Sequence, residues 1–224
     1  MTIDRRRFAT LIAGGIAAAA SPGPSLAAKA HRVGEIVDGD DLPAREASWY
    51  RKLEEHRVEC ELCPQACTVA DAERGTCGVR ENRAGTYVTL VHSLACSVHA
   101  DPIEKKPLFH VLPGELALSY ATAGCNVECK FCQNWEISQF RPEQVRSAYL
   151  PPEALVDAAK RSGARLTAAT YSEPVVFWEY VRDSARAARK AGIAPTVVSN
   201  GYIQAKPLKE VLPLLKAVKI DLKS

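Results

Sequence analysis

The chain has 224 residues, 47% of them hydrophobic and 25% charged, with 29 Lys+Arg against 26 Asp+Glu. That balance describes a globular sequence long enough to bury a core, with no basic patch for nucleic acid or an anionic membrane surface. Eight cysteines beside a single methionine are the anomaly, and their spacing decides what they can do.

Residues 1–30 read as a targeting segment. Asp4-Arg5-Arg6-Arg7-Phe8 precedes an apolar stretch from Leu11 through Ala20, Ser21-Pro22-Gly23-Pro24 breaks it, and Ser25-Leu26-Ala27 and Ala28-Lys29-Ala30 offer small-residue cleavage sites. The pattern resembles a twin-arginine (Tat) export signal, which implies transport of a folded protein to the periplasm; a cytoplasmic location is the alternative if the signal is not used. The apolar stretch is too short and too poor in leucine for a spanning helix, so no stable membrane insertion is expected. Without residues 1–30 the chain keeps 25 basic and 25 acidic groups and is neutral. Residues 31–57 are charged, without strand alternation, and predict a linker with a surface helix around Glu46–His56.

Residues 58–114 form a cysteine-rich region. Cys60, Cys63, Cys67 and Cys77 follow a Cys-x2-Cys-x3-Cys-x9-Cys spacing, with a Cys-Pro turn and a Cys-Gly pair that free backbone amides to point at sulfur. Three readings stay open: structural zinc, a second iron–sulfur cluster, or disulfides in an oxidising compartment. Cys96, near His92 and His99, reads as a small buried hydrophobe. His110 fixes the loop leading into the first strand.

Residues 115–224 alternate strand and helix. Ala117 to Ala123 reads as a strand, and Gly124 follows it. Next come Cys125, Cys129 and Cys132, spaced Cys-x3-Cys-x2-Cys. Three thiolates on one short loop can hold three irons of a 4Fe–4S cluster and leave the fourth open to a ligand. A zinc knuckle or paired disulfides suit the unequal spacing less well. Trp135 and Phe140 would pack over the loop.

A second strand, Leu166 to Tyr171, runs into Ser172-Glu173-Pro174, which opens a helix whose buried face is Phe177, Tyr180, Val181, Ser184, Ala185 and Ala188. A third strand, Pro195 to Val198, leads into Ser199-Asn200-Gly201. A short helix packing Leu208, Val211 and Leu212 stops before Pro213. In a fourth strand, Ala217 to Lys223, Val218, Ile220 and Leu222 alternate with Lys219, Asp221 and Lys223, so one face should pack on helices while the other carries charge inward. Polar groups end all four strands, where the functional residues of parallel barrels collect. The expected fold is α/β: a partial parallel (β/α) barrel of about four βα units, plus the small N-terminal Cys-rich region.

Gly124 to Asn134 resembles the signature of radical S-adenosylmethionine (radical SAM) enzymes. The resemblance implies a 4Fe–4S cluster on Cys125, Cys129 and Cys132, with S-adenosylmethionine on the open iron. It also implies reductive cleavage to a 5′-deoxyadenosyl radical, with electrons from a flavodoxin- or ferredoxin-like donor of low potential. Phe131 would lie near the adenine. Ser172, Glu173 and Pro174 resemble the strand-two motif that holds the amino group, and Ser199, Asn200, Asp221 and Lys223 resemble the third- and fourth-strand contacts of pyruvate formate-lyase activating enzymes.

Closer still is the radical SAM member of the AmmeMemoRadiSam group, whose pattern stands here as Asp101 to His110, Cys125 to Gln139, Thr170 to Tyr180 and Asn200-Gly201-Tyr202. The likeness covers nearly everything from Cys60 to Ser224, and that group has similar N-terminal cysteines. Its substrate, a protein or a small molecule, is not legible here. Glycyl-radical activation of a partner is the alternative activity, although those enzymes place an aspartate where Val198 stands. The resemblance also implies a fifth and sixth strand, so the chain reads as truncated: a fragment, a frameshifted product, or a protein completed by a partner. The reading from another class is a non-catalytic iron–sulfur or zinc protein serving as scaffold or electron carrier.

Overall fold

The computed structural model describes residues 31–37, 39 and 41–223; the export signal expected over 1–30 lies outside the described residues. The centre is a five-stranded sheet. Its four parallel strands are Leu116–Ala121, Leu166–Ala169, Ala194–Ser199 and Ala217–Ile220, in the spatial order fourth, third, second, first. Registers such as Ala117 opposite Leu166 and Ala168 opposite Thr196 bring the four C-terminal ends to one edge of the sheet. A fifth strand, Ser97–Pro102, lies antiparallel to the first and closes that side, pairing Leu116 with Pro102 and Ala121 with Ser97.

The first three parallel strands are buried almost residue by residue. Parallel strands covered on both faces read as continuous small and apolar runs rather than as alternation, and Leu166-Thr167-Ala168-Ala169 is such a run. Helix Pro152–Arg161 covers one face with Leu155, Val156 and Ala159; proline stands at its first turn and Lys160 and Arg161 at its last. Helix Trp178–Lys190 packs beside it. The expected stripe from Tyr180 to Ala188 is buried, and Phe177 belongs to the short 3-10 turn Pro174–Phe177 that precedes the helix.

Three further three-stranded sheets are antiparallel and small. In one, Arg45–Glu46 pairs with Thr86–Thr89, which pairs with Arg80–Arg83. In another, Tyr50–Lys52 pairs with Val58–Cys60, which pairs with Thr68–Val69. The surface helix expected around Glu46–His56 is therefore replaced by strands. Ala47 and Trp49 are buried while Ser48 between them is exposed, a period of two that fits a strand and not a helix. Trp49, Val58, Leu62 and Tyr87 join Leu118, Tyr120 and Phe177 in one core, so the cysteine-rich region is packed onto the sheet.

The fourth strand differs from expectation. Ile220 and Leu222 are exposed rather than packed on helices, since this strand is the sheet edge. Leu212, expected in the short helix's packing face, is exposed as well, while Pro207 and Val211 are buried. Among the described residues no helix is long and apolar enough to cross a membrane.

Candidate functional site

The first strand ends at Ala121, and Gly124 turns the chain out of the sheet with φ +97. A Cβ there would stand 2.5 Å from Val79 Cγ1 and 3.0 Å from the Cys77 carbonyl. Only glycine permits both the backbone angle and that approach. Cys125, Cys129 and Cys132 follow on a loop held from several sides. The Gly124 amide donates to the Ile137 carbonyl (2.8 Å), and the Cys132 amide to that of Cys129 (3.2 Å). Gln139 Nε2 donates to the Cys129 carbonyl at 3.1 Å.

Two asparagines tie this loop to neighbouring strand ends. Asn126, buried, donates from Nδ2 to the Tyr202 carbonyl (2.8 Å) and accepts from Asn200 Nδ2 (2.9 Å). Asn134 Nδ2 donates to the Tyr171 carbonyl at 2.9 Å. Each amide thereby joins the ends of two strands.

Glu173 stands at the end of the second strand and is 4% exposed. Its Oε1 accepts from Ser199 Oγ (2.6 Å) and the Val175 amide (3.0 Å), and its Oε2 from the Asn200 amide (2.9 Å). Burial pushes its pKa up, and these donors together with the Lys223 ammonium oppose the rise. At the fourth strand, Asp221 pairs with both Lys219 and Lys223, the latter at 3.1 Å.

These ends enclose a cavity of about 410 Å³, within the usual size range of small-molecule sites. Of the residues singled out from the sequence, Cys125, Cys129, Phe131, Cys132, Glu173, Ser199, Asn200, Asp221 and Lys223 line it together. Ser172 and Pro174 do not. Ser172 Oγ is spent on the Thr122 carbonyl (2.6 Å), and Pro174 is buried in the turn that opens the next helix. Phe131 is 64% exposed, at the rim, and Trp135 and Phe140 stack on each other at 5.8 Å, both exposed, beside the loop. His110 is exposed and outside the cavity.

Lys106, Tyr171 and Asn134 are among the wall groups with no individual role expected from sequence. Lys106 is 4% exposed, and its Nζ donates to Tyr171 Oη (3.1 Å) and Asp101 Oδ2 (3.3 Å). The signal that could have found it is the Asp101–His110 segment itself, where two acids and two lysines crowd one short turn.

Burial raises the Cys125 thiol to about 11, so a thiolate there calls for a compensating positive charge. No three His, Cys, Asp or Glu side chains among the described residues converge on a position for a single metal ion. The donor set of the loop fits a larger group: three thiols on one turn, facing a carboxylate and ammonium groups across a cavity, suit a multi-iron cluster. The Cys60, Cys63, Cys67 and Cys77 set lies outside this cavity, and all eight cysteines are free thiols.

Residues 119–224 match the family model described as "Radical SAM superfamily". The chain is 42% identical over 179 residues to a protein of Methanocaldococcus jannaschii, "Uncharacterized protein MJ0808", in an alignment that takes in 80% of this chain and 53% of that one. The chain thus spans about half the length of the curated relative it matches.

Proposed function

We propose, from the match of residues 119–224 to the radical SAM superfamily model, that the chain is a radical SAM enzyme whose cofactors occupy the cavity at the ends of the four parallel strands. The observation that carries the reading is one shared wall: Cys125, Cys129 and Cys132 open onto the same space as Glu173, Ser199, Asn200, Asp221 and Lys223. Cys125, Cys129 and Cys132 would hold a 4Fe–4S cluster. Bound there, the cluster and S-adenosylmethionine would supply reductive, radical-forming cleavage of the sulfonium for hydrogen abstraction.

The chain's own residues do the positioning. Glu173 has three donors on four acceptor sites and keeps one site for an ammonium group in the cavity. Lys223 offers the complementary charge to a carboxylate, and Phe131 at the rim offers a ring face to a base. Asn126 and Asn134 hold the cysteine loop against the second and third strand ends, so the thiols and the polar wall keep one geometry.

Within the superfamily the AmmeMemoRadiSam reading is favoured, because Lys105, Lys106 and Pro107 of its Asp101–His110 pattern form part of the same wall. An electron donor of low potential and export through the Tat route complete the proposal.

The test is anaerobic reconstitution with iron and sulfide, reduction, addition of S-adenosylmethionine and quantification of 5′-deoxyadenosine. The parent should form it, and Cys129→Ala should fall to the level of the protein-free control. A parent that carries the cluster yet forms none overturns the reading and leaves a non-catalytic cluster protein.

A further inference from the structure

Cys60, Cys63, Cys67 and Cys77 have no part in the chemistry proposed above, and tight turns and a buried cation gather around them. The amides of Leu62, Gln65 and Val79 face the Cys60, Cys63 and Cys77 sulfurs and oppose the rise that burial gives the three thiols. All three are the same turn, with the amide two residues on folded back to the sulfur. Cys67 takes the Thr76 amide (3.5 Å) and shares a hydrogen bond with Thr76 Oγ1 at 3.4 Å. A neutral thiol is a weak acceptor, whereas a thiolate attracts such amides strongly.

The backbone is shaped to bring these turns together. The Cys60 amide donates to the Cys67 carbonyl at 2.9 Å. Ala66 and Gly78, beside Cys67 and Cys77, take the left-handed conformation at φ 44 and φ 72. At Gly75 a Cβ would come within 2.7 Å of Tyr87 Oη, so the packing of that loop on the buried tyrosine favours glycine, and Cys67 Sγ lies in ordinary contact at 3.5 Å.

A buried cation stands beside them. Arg80 is fully buried; its terminal nitrogens donate to Glu179 and the Val176 carbonyl, yet its Nε has no partner. The Cys60 and Cys77 sulfurs are close enough to act on its charge. A buried N–H without an acceptor is uncommon in folded proteins, and a metal-bound thiolate beside it supplies the missing acceptor. The four sulfurs stand apart rather than on one single-ion position. Four thiolates are the ligand complement of either a 4Fe–4S cluster or a structural zinc, and side-chain rotation would have to bring them together.

We propose that Cys60, Cys63, Cys67 and Cys77 bind a second, four-thiolate metal centre, zinc or an iron–sulfur cluster, separate from the site on the Cys125 loop. The centre lies directly behind that loop. The Asn126 side chain reaches the Cys63 sulfur, Gln65 Nε2 donates to the Asn126 carbonyl (3.2 Å), and the Cys77 carbonyl together with Val79 excludes a Cβ at Gly124. Metal in the second site therefore fixes the wall against which the first loop is folded.

The experiment removes the first site. The full chain carrying Cys125→Ser, Cys129→Ser and Cys132→Ser is purified anaerobically, and its zinc, iron and acid-labile sulfide are measured. About one zinc, or about four irons with matching sulfide, should remain per chain and be lost when Cys60→Ser and Cys77→Ser are added. A folded chain that holds neither metal, or mass spectrometry showing these cysteines joined as disulfides, overturns the proposal. Because the fivefold variant can fail to fold, the parent is also alkylated under native conditions. Cys60, Cys63, Cys67 and Cys77 should be protected as a set and become reactive together after chelation; labelling indifferent to the chelator counts against the centre.

Discussion

Tyr171 holds the backbone in the left-handed region at φ 68, which costs a bulky residue about 1–3 kcal/mol. The cost is met by contacts at both ends of the residue. Its hydroxyl donates to Asp101 Oδ2 (3.0 Å) and receives Lys106 Nζ, which also lies 4.5 Å from the ring centroid, while its carbonyl accepts from Asn134. Hydrogen bonds, first from Lys105 and then from Tyr171 and Lys106, hold the Asp101 carboxyl down to about 2. A carboxylate with a depressed folded pKa contributes stability that is complete above the ordinary carboxylate range and is lost as pH falls towards that value. Asp101→Asn should therefore cost about 1 kcal/mol at pH 7, discounted for the exposed Lys105. In urea unfolding the gap to the parent should shrink as the pH is lowered from 4 towards 2. A gap that stays constant over that range would show that the loss is one of packing and not of charge. This node was only half legible. The Asp101 to His110 wording stands in the sequence, but the importance of Lys106 depends on a tyrosine sixty-five residues away that no local pattern places beside it.

At the scale of elements, the strands that could be read were those with a turn signal at the C-terminal end. Leu116–Ala121 before Gly124, Leu166–Ala169 before Ser172-Glu173-Pro174, and Ala194–Ser199 before Asn200-Gly201 all combine an apolar run with a stop. Ser97–Pro102 has neither, being half-exposed and polar, and only its pairing with the first strand defines it. The short strands at Arg45–Glu46 and Tyr50–Lys52 were hidden by their charge, since the burial alternation rests on Ala47 and Trp49 alone. Gly124 is where one such element end meets a foreign one. Gly124→Ala must accept both a disallowed φ and a Cβ pressed into Val79 and the Cys77 carbonyl, so a loss of about 2–4 kcal/mol is expected. Gly163, at φ 72 with nothing within 4 Å of its Cβ position, isolates the conformational part, and Gly163→Ala should cost about 1 kcal/mol. Equal losses in denaturant titrations of the two variants would mean that the cysteine-rich region does not press on the loop.

For the whole molecule, the question is what binds the cysteine-rich region to the parallel sheet. Arg80 and Glu179, each 1% exposed at the side chain, meet across that junction. Arg80 Nη1 reaches Glu179 Oε1 at 3.1 Å, and the same oxygen accepts the Ser48 amide at 2.9 Å. The Arg80 guanidinium holds the Glu179 carboxyl below its usual range against the opposing effect of burial. Trp49 Nε1 adds a hydrogen bond to Glu210 at 2.9 Å. None of this was legible in advance, because partners ninety-nine residues apart leave no period or spacing to read. A buried pair of this kind is costly to break and much less costly to replace, since removing one partner strands a charge while removing both strands none. Glu179→Ala should thus lose about 3–5 kcal/mol, whereas Arg80→Met with Glu179→Met should lose much less than the single variant. If the pair is what makes the molecule one cooperative unit, Glu179→Ala should also split a single unfolding transition into two. The first would show in Trp49 fluorescence from the cysteine-rich side, read in a Trp135→Phe, Trp178→Phe background, and the second in the far-ultraviolet signal of the helices. A single unchanged transition would instead place the cohesion in the shared apolar core of Trp49, Tyr87, Tyr120 and Phe177, with the ion pair serving only to select which face of the region docks.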